Sequence, residues 1–171
     1  MSGTERVKIY YWDSCIYLAW LLEELVHGKA CLDAIMQVAD DNKNDKNTIV
    51  TSTIVFTEVL AAKIGTTKEE LFRKSFRGQT HIAYDVDAAT ALKARAFREA
   101  FLSNPSGKLP TPDAIHLATA SICKADEFWT LDDGQKGKNV SLLSLDRDAR
   151  VDGLTICKPS VPQASLGLPS N

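Results

Sequence analysis

The sequence lacks the features on which several common classes of protein depend. Among its few cysteines and three histidines no Cys-x-x-Cys pair occurs, and no cluster has the spacing of a zinc site. This predicts free, buried thiols in a reducing cytosol rather than disulfides, at Cys15, Cys31, Cys123 and Cys157. The longest apolar run, residues 15–22, is too short to span a bilayer, and residues 1–8 lack the apolar stretch of a signal peptide. We therefore expect a cytoplasmic protein with no membrane contact.

The chain also lacks a strong net charge and a clear internal linker. A net charge of −2 gives no global attraction to nucleic acid or to an anionic membrane, although local basic patches can offset an acidic site. The 171 residues suit one domain, and they contain no internal repeat. We expect this domain to span residues 1–159, followed by a loosely ordered tail, residues 160–171, that is rich in Pro, Ser and Gly.

Short apolar segments of strand composition alternate with segments of helical periodicity. Strands are predicted at residues 7–12, 48–51, 81–84, 127–131 and 154–157. Helices are predicted at residues 16–26, 29–39, 54–64, 67–76, 87–102 and 111–123. Three helix starts have capping signals, at Ser52-Thr53, at Thr67 with Glu70 in a capping box, and at Thr111 before Pro112. The alternation predicts a three-layer α/β/α sandwich around a central, mainly parallel five-stranded sheet.

Four acidic residues occupy related places in this pattern. Asp13 and Asp132 directly follow the first and fourth predicted strands, whereas Asp113 and Glu58 lie in the first and second turns of predicted helices. In open parallel sheets, sites form at the carboxyl ends of the strands, where the strand order reverses. If the first and fourth strands are neighbours there, the four carboxylates converge.

Converging carboxylates repel one another unless a cation lies among them. Mg²⁺ prefers a few carboxylates, retained waters and phosphate oxygens, and such ions promote in-line phosphoryl displacement by water. Each acid alone has an ordinary explanation, such as a helix cap, a residue that complements the helix dipole, a solvated side chain or a turn former. Only their ordered placement favours a metal site.

Four segments carry a resemblance to a known family. They are residues 10–14 (Tyr-Tyr-Trp-Asp-Ser), 53–59 (Thr-Ile-Val-Phe-Thr-Glu-Val), 111–120 (Thr-Pro-Asp-Ala-Ile-His-Leu-Ala-Thr-Ala) and 128–132 (Phe-Trp-Thr-Leu-Asp). This set resembles the PIN-domain ribonucleases, especially the toxins of VapBC-type toxin–antitoxin pairs and related stand-alone PIN proteins. The resemblance covers nearly the whole chain, and the segment around Asp113 is its most specific part.

The resemblance implies an endoribonuclease that depends on Mg²⁺ or Mn²⁺, is frequently a homodimer and often has an antitoxin partner that covers its site. Asp13, Glu58 and Asp113 occupy the three core acid positions of the family, and Asp132 occupies the fourth, in a Thr-x-Asp pattern. The small hydroxyl residue after the first Asp often assists at the family's site, and Ser14 stands in that place.

Several positions depart from the family pattern or have an open role. Cys15 stands where the family often has Asn, and the segment between Asp132 and the last strand is longer than a compact toxin needs. Asp133 is a second candidate for the fourth acid. His116 shares a helix face with Asp113, so it is either a partner of the site or a packed histidine. The loop after Asp132 adds two candidates for contact with an RNA backbone, Lys136 and Lys138.

Two other functions fit parts of the pattern. The first is a catalytically silent PIN-like module that binds RNA or a protein, and the complete set of four acids argues against it. The second is a phosphate-handling α/β enzyme that uses Asp13 as a nucleophile. The sequence Asp13-Ser14-Cys15 lacks the second acid, two residues on, that a haloacid-dehalogenase-type phosphatase carries.

Overall fold

A parallel sheet forms the centre of the molecule. The computed structural model describes residues 6–134 and 138–160. Within these ranges five strands are present: β1 (Lys8–Trp12), β2 (Asn47–Ser52), β3 (His81–Tyr84), β4 (Glu127–Trp129) and β5 (Ile156–Cys157). All pairings are parallel and the order is β3-β2-β1-β4-β5. The strand order therefore reverses between β1 and β4, and the predicted mainly parallel five-stranded sheet is confirmed.

Helices cover both faces of this sheet. The described residues form α1 (Ser14–Leu22), α2 (Lys29–Lys43), α3 (Val55–Ala61), α4 (Thr66–Ser75), α5 (Ala88–Ala100) and α6 (Thr111–Ile122). Helices α1 to α4 contribute to one apolar core, whereas α5, α6 and two short 3-10 helices, Leu142–Leu145 and Ala149–Val151, contribute to the other. This arrangement confirms the predicted three-layer sandwich.

The alternation of side chains along β1 supplies both cores. Tyr10 and Trp12 are buried in the core of α1 to α4, whereas Tyr11 is buried in the core of α5 and α6. Successive residues of a strand point to opposite faces, so an apolar strand with helices on both sides buries all of its central side chains. The ring of Tyr11 stacks on Phe128 of the neighbouring strand β4, with centroids 4.8 Å apart.

The capping predictions were wrong at three helix starts. Helix α4 is preceded by Gly65 at φ 86°, with no side-chain cap, so Thr67 and Glu70 form no capping box there. Ser52 is the last residue of β2, and helix α3 begins only at Val55, so Ser52-Thr53 does not cap it. Glu58 consequently lies in the first turn of α3 rather than the second. Thr111 belongs to α6 and is not its cap, which is Pro110.

Helix α2 is longer than its sequence pattern predicts. It continues to Lys43, past the predicted end at residue 39. Asn42 is buried, and its amide nitrogen donates hydrogen bonds to the carbonyl oxygens of Asn47 and Thr80 at 3.1 and 2.8 Å. A polar residue can extend a helix into the interior when its side chain satisfies buried backbone groups.

The remaining structural predictions concern thiols and membranes. All four cysteines are free thiols, as predicted, although only Cys31 is buried. Across the described ranges, the helices fall short of the length and apolar character that a bilayer crossing needs. The predicted loose tail falls almost entirely on residues 161–171, which lie outside the described residues.

Candidate functional site

Asp13 lies at the carboxyl end of β1, next to the point where the strand order reverses. Its main-chain N–H donates to the Trp129 carbonyl at 3.2 Å, so the chain leaves β1 while still attached to β4. Its carboxylate caps α1, accepting hydrogen bonds from the Ser14 amide and hydroxyl at Oδ1. Thr130 Oγ1 donates to Oδ2 at 2.8 Å, and Cys15 Sγ donates to the same oxygen at 3.4 Å. With only 7% of its surface exposed, Asp13 is a well-oriented carboxylate.

A cleft of about 520 Å³ opens beside Asp13. Asp113, from the first turn of α6, and Asp132, from the segment after β4, line the same cleft. Ser14 and Asp133 also contribute to its wall. None of the described lining residues is Lys or Arg. The structure therefore brings three of the predicted acids from three separate elements into one acidic cleft.

The electrostatics of Asp113 reflect this crowding. The pKa of Asp113 is raised from 3.8 to about 7, first by burial and also by the nearby Asp13, Asp132 and Glu58 carboxylates, while His116 opposes them. Placing like charges close together in a partly buried site disfavours ionisation of one of them. A cation at the cleft would reverse this effect and favour the ionised carboxylate.

Glu58 reaches the acidic group through His116. The Glu58 Oε2 atom lies 2.7 Å from His116 Nε2, and the same nitrogen is 3.9 Å from Asp13 Oδ1. His116 is fully buried. Burial lowers the pKa of His116, but the hydrogen bond to Glu58 and the charges of Asp13, Glu58 and Asp113 outweigh it and leave the pKa raised. His116 is thus a packed, fully buried histidine that is also hydrogen-bonded to one of the four acids.

Two further residues at the site were missed by sequence reasoning. Tyr11 places its hydroxyl 2.7 Å from His116 Nδ1, on the side of the ring opposite Glu58. Thr130 bonds Asp13 and also accepts a hydrogen bond from the Asp132 main-chain N–H at 3.1 Å. The Thr-x-Asp spacing pointed toward Thr130, but nothing in the strand pattern around Tyr11 marks it as part of the site.

Asp132 has a structural task beside its place in the cleft. Its Oδ1 accepts the Gly134 N–H and its Oδ2 accepts the Leu142 N–H, both at 3.1 Å. These bonds connect the two sides of the loop that forms one wall of the cleft. Asp133 is exposed on that wall. Lys138 is exposed next to Asn139, which lines the cleft, whereas Lys136 lies outside the described residues.

The chemistry of the donor set fits a hard divalent ion. The cleft offers carboxylate oxygens, which Mg²⁺ and Mn²⁺ prefer, and the raised pKa of Asp113 indicates unneutralised negative charge. Within residues 6–134 and 138–160, however, no group of three or more Asp, Glu, His or Cys side chains is arranged to hold a metal ion directly. An ion at the cleft would therefore need water to complete its ligands, as Mg²⁺ usually does.

The fold and the site together define a class of protein, namely an α/β/α sandwich with an acidic cleft where the strand order reverses. A family model described as "PIN domain" matches residues 10–150. The chain belongs to the PIN domain family.

Comparison with solved structures shows the same fold. The chain is similar to one in the crystal structure of VapBC2 from Rickettsia felis, bound to a DNA fragment from their promoter, with 15% identity and a TM-score of 0.55. That match covers 87% of this chain and 97% of the other. It is also similar to a chain of FitAcB from Neisseria gonorrhoeae, with 12% identity, a TM-score of 0.51, and 88% and 97% coverage. No curated protein matches the sequence.

Proposed function

We propose that the chain is a metal-dependent endoribonuclease that hydrolyses RNA phosphodiester bonds. Membership of the PIN domain family supports a nuclease, because PIN domains are typically nucleases and generally use divalent metal ions. The observation that carries the proposal is the meeting of Asp13, Asp113 and Asp132 in one cleft, with the pKa of Asp113 raised to about 7.

In this proposal each acid has a distinct task. Asp13 and Asp113 hold the principal ion, because both line the cleft and neither carboxylate is paired with a Lys or Arg side chain among the described contacts. Asp132 contributes through water, since both of its oxygens already accept main-chain N–H groups. Glu58, held by His116, binds the ion or orients the attacking water.

The chain's own residues prepare this chemistry in two ways. Bound Mg²⁺ or Mn²⁺ would activate a water and stabilise the charge that develops on the phosphate. Ser14 and Thr130 hold the Asp13 carboxylate in one orientation, and Ser14 also lines the cleft, where substrate would lie. A prearranged carboxylate loses little freedom when a ligand binds, which favours both ion binding and catalysis.

RNA cleavage by purified protein tests the proposal. Wild-type protein is expected to cleave single-stranded RNA with Mg²⁺ or Mn²⁺ and to stop when the ions are removed with EDTA. The Asp113→Asn variant keeps the shape of the side chain but loses its charge, so it should lose cleavage. Full activity in Asp113→Asn, or undiminished activity in EDTA, would show that the proposed mechanism is wrong.

A catalytically silent PIN-like module is the competing proposal. One observation favours it, namely that the described acids do not form a ready-made group of three metal ligands. Isothermal titration with Mn²⁺ separates the two proposals, because a silent module need not bind the ion, whereas the nuclease must bind it in a manner that Asp113→Asn weakens.

We also propose a protein partner and self-association. The VapBC-type and FitAB-type folds support an antitoxin that covers the cleft. Three exposed apolar side chains that precede the cleft residue His27 in sequence suit such a contact: Leu22, Leu25 and Val26. Induced expression of a toxin should arrest bacterial growth, and Asp113→Asn should abolish the arrest. Sedimentation equilibrium of the purified chain tests the proposed homodimer.

A further inference from the structure

We infer that Tyr11 and His116 form a buried hydrogen-bond chain, anchored on the Ser52 main-chain amide, that holds the Glu58 carboxylate in one orientation. The inference rests on the proposed function, because the hydrogen-bond chain would serve to position Glu58 for the ion and the attacking water. Tyr11 and His116 are therefore positioning residues. Neither belongs to the described lining of the cleft.

The direction of the hydrogen bonds follows from the donors and acceptors. The Ser52 N–H donates to the Tyr11 hydroxyl oxygen at 3.0 Å, which leaves the Tyr11 O–H free to donate. In neutral His116, Nδ1 lies 2.7 Å from this hydroxyl and is the acceptor that we assign to it. When Nδ1 accepts, a neutral imidazole carries its hydrogen on Nε2, which faces Glu58 Oε2 at 2.7 Å. An imidazolium carries a hydrogen on both nitrogens, so Nδ1 then donates to the Tyr11 oxygen, and Nε2 still gives Glu58 a donor.

The hydrogen-bond chain is rigid at its buried end and meets the site at its exposed end, Glu58. Ser52, Tyr11 and His116 have 0% exposure, whereas the Glu58 side chain is 29% exposed. The ring of Tyr11 is stacked on Phe128, with an interplanar angle of 9°. Burial in the interior thus fixes Ser52, Tyr11 and His116. Glu58 has a long side chain with several rotamers, and its hydrogen bond to His116 restricts it to one of them.

Helix α3 gives Glu58 little other support. The helix has seven residues, and its cap residue, Ile54, provides no side-chain hydrogen bond. Its buried side chains are Val55 and Val59, on either side of Glu58 in sequence. Among the described residues, the hydrogen bond to His116 joins Glu58 to α6, so its removal leaves the carboxylate free to rotate into solvent.

A second tyrosine–histidine pair in the same protein provides a matched control. The hydroxyl of Tyr17 lies 2.7 Å from His81 Nε2, the same distance as in the Tyr11–His116 pair. Tyr17 is also fully buried and His81 is 6% exposed, but both belong to the opposite face of the sheet. Tyr17→Phe therefore removes a buried tyrosine–histidine hydrogen bond of the same length without touching Glu58.

The experiment compares Mn²⁺ affinity and RNA cleavage in Tyr11→Phe and Tyr17→Phe, with thermal unfolding measured for both. Loss of a residue that orients a metal ligand from behind typically lowers metal affinity or activity by about 10- to 100-fold. Tyr11→Phe should show a loss of that size at saturating RNA, with KM for RNA little changed, whereas Tyr17→Phe should retain wild-type values. Equal effects of the two variants would overturn the inference, because Tyr11 would then act only through stability.

Substitutions of His116 provide a second comparison. His116→Gln keeps an amide N–H donor and should retain more Mn²⁺ affinity and cleavage than His116→Leu, which has none. Equal losses in two folded variants would contradict the positioning role. If either fails to fold, the comparison of Tyr11→Phe with Tyr17→Phe decides the question.

Nitrogen NMR of the imidazoles separates failure of this inference from failure of the proposed function. Neutral His116 should show a protonated Nε2 and an accepting Nδ1, and Tyr11→Phe should change the Nδ1 signal. If wild-type protein neither binds Mn²⁺ nor cleaves RNA, the proposed function fails, and the hydrogen-bond chain is still supported by that pattern. A neutral His116 with its hydrogen on Nδ1 would show that the proposed hydrogen-bond chain is wrong.

Discussion

The Thr130 hydroxyl lies 2.8 Å from Asp13 Oδ2 and donates a hydrogen bond to it. The Thr130 hydroxyl oxygen in turn accepts the Asp132 main-chain N–H at 3.1 Å. A single fully buried hydroxyl therefore connects the acid that follows β1 to the acid that follows β4. Since these strands are paired in register, the two acids are held at the same edge of the sheet by both backbone and side-chain contacts.

The first prediction concerns this hydroxyl. Thr130→Val keeps the side-chain shape but removes the hydroxyl that donates to Asp13 Oδ2, so it should lower the free energy of unfolding by about 2 kcal/mol at pH 7. Urea unfolding measures this. Thr119→Val is the control, because the Thr119 hydroxyl donates to the Ile115 carbonyl within α6 and carries no link to the acids. Equal losses in the two variants would show that the bond to Asp13 has no special importance.

The second prediction concerns pH. The pKa of Asp113 is about 7 in the folded chain and 3.8 as its ordinary value, so between these values the folded state retains a proton that the unfolded chain has released. The contribution of Asp113 to stability therefore falls as pH rises from about 4 to about 7, and is constant outside that window.

Asp113→Asn removes this dependence. Relative to wild type, the variant should gain stability between pH 5 and pH 8, and urea unfolding at the two pH values measures the difference. Groups that do not interact with Asp113 titrate in the same way in both proteins, so their effects cancel in the comparison. A difference that stays constant with pH, or changes in the other direction, would refute the assigned crowding of Asp113.

The third prediction concerns ion binding and its reversal. At about one hundred times its Kd, Mn²⁺ should stabilise the native protein by about 2.7 kcal/mol and raise Tm accordingly. EDTA should restore the original Tm. Asp13→Asn should lose most of the increase. Asp87→Asn should keep it, because Asp87 caps α5 through the Thr90 N–H and does not line the cleft. An unchanged increase in Asp13→Asn would place the ion elsewhere.

The fourth prediction distinguishes the two candidates for the fourth acid. Asp132→Ala removes two hydrogen bonds to main-chain N–H groups as well as a charge, whereas Asp132→Asn removes the charge and keeps one acceptor oxygen. RNA cleavage should therefore fall most in Asp132→Ala, less in Asp132→Asn, and least in Asp133→Ala, whose residue is exposed. A larger loss in Asp133→Ala than in Asp132→Asn would assign the role to Asp133.

The fold could be predicted from the sequence because its signals are local. Apolar runs separated by helical periodicity specify strands with helices between them, and β1, β3 and α6 begin or end within one or two residues of the prediction. The capping predictions failed for a physical reason. A Ser or Thr near a helix start can instead complete a strand or lie inside the first turn, and the backbone path decides which occurs, as at Ser52 and Thr111.

The sequence by itself determined the type of fold and the placing of Asp13 and Asp132 after strands and of Asp113 and Glu58 at helix starts, since these depend on residues that are neighbours along the chain. Only the tertiary structure decided how the acids interact. The contact of His116 with Glu58 spans 58 residues of sequence, and its contact with Tyr11 spans 105. Burial and charge repulsion, which raise the pKa of Asp113, likewise depend on distances that exist only after β1, α3 and α6 have packed together.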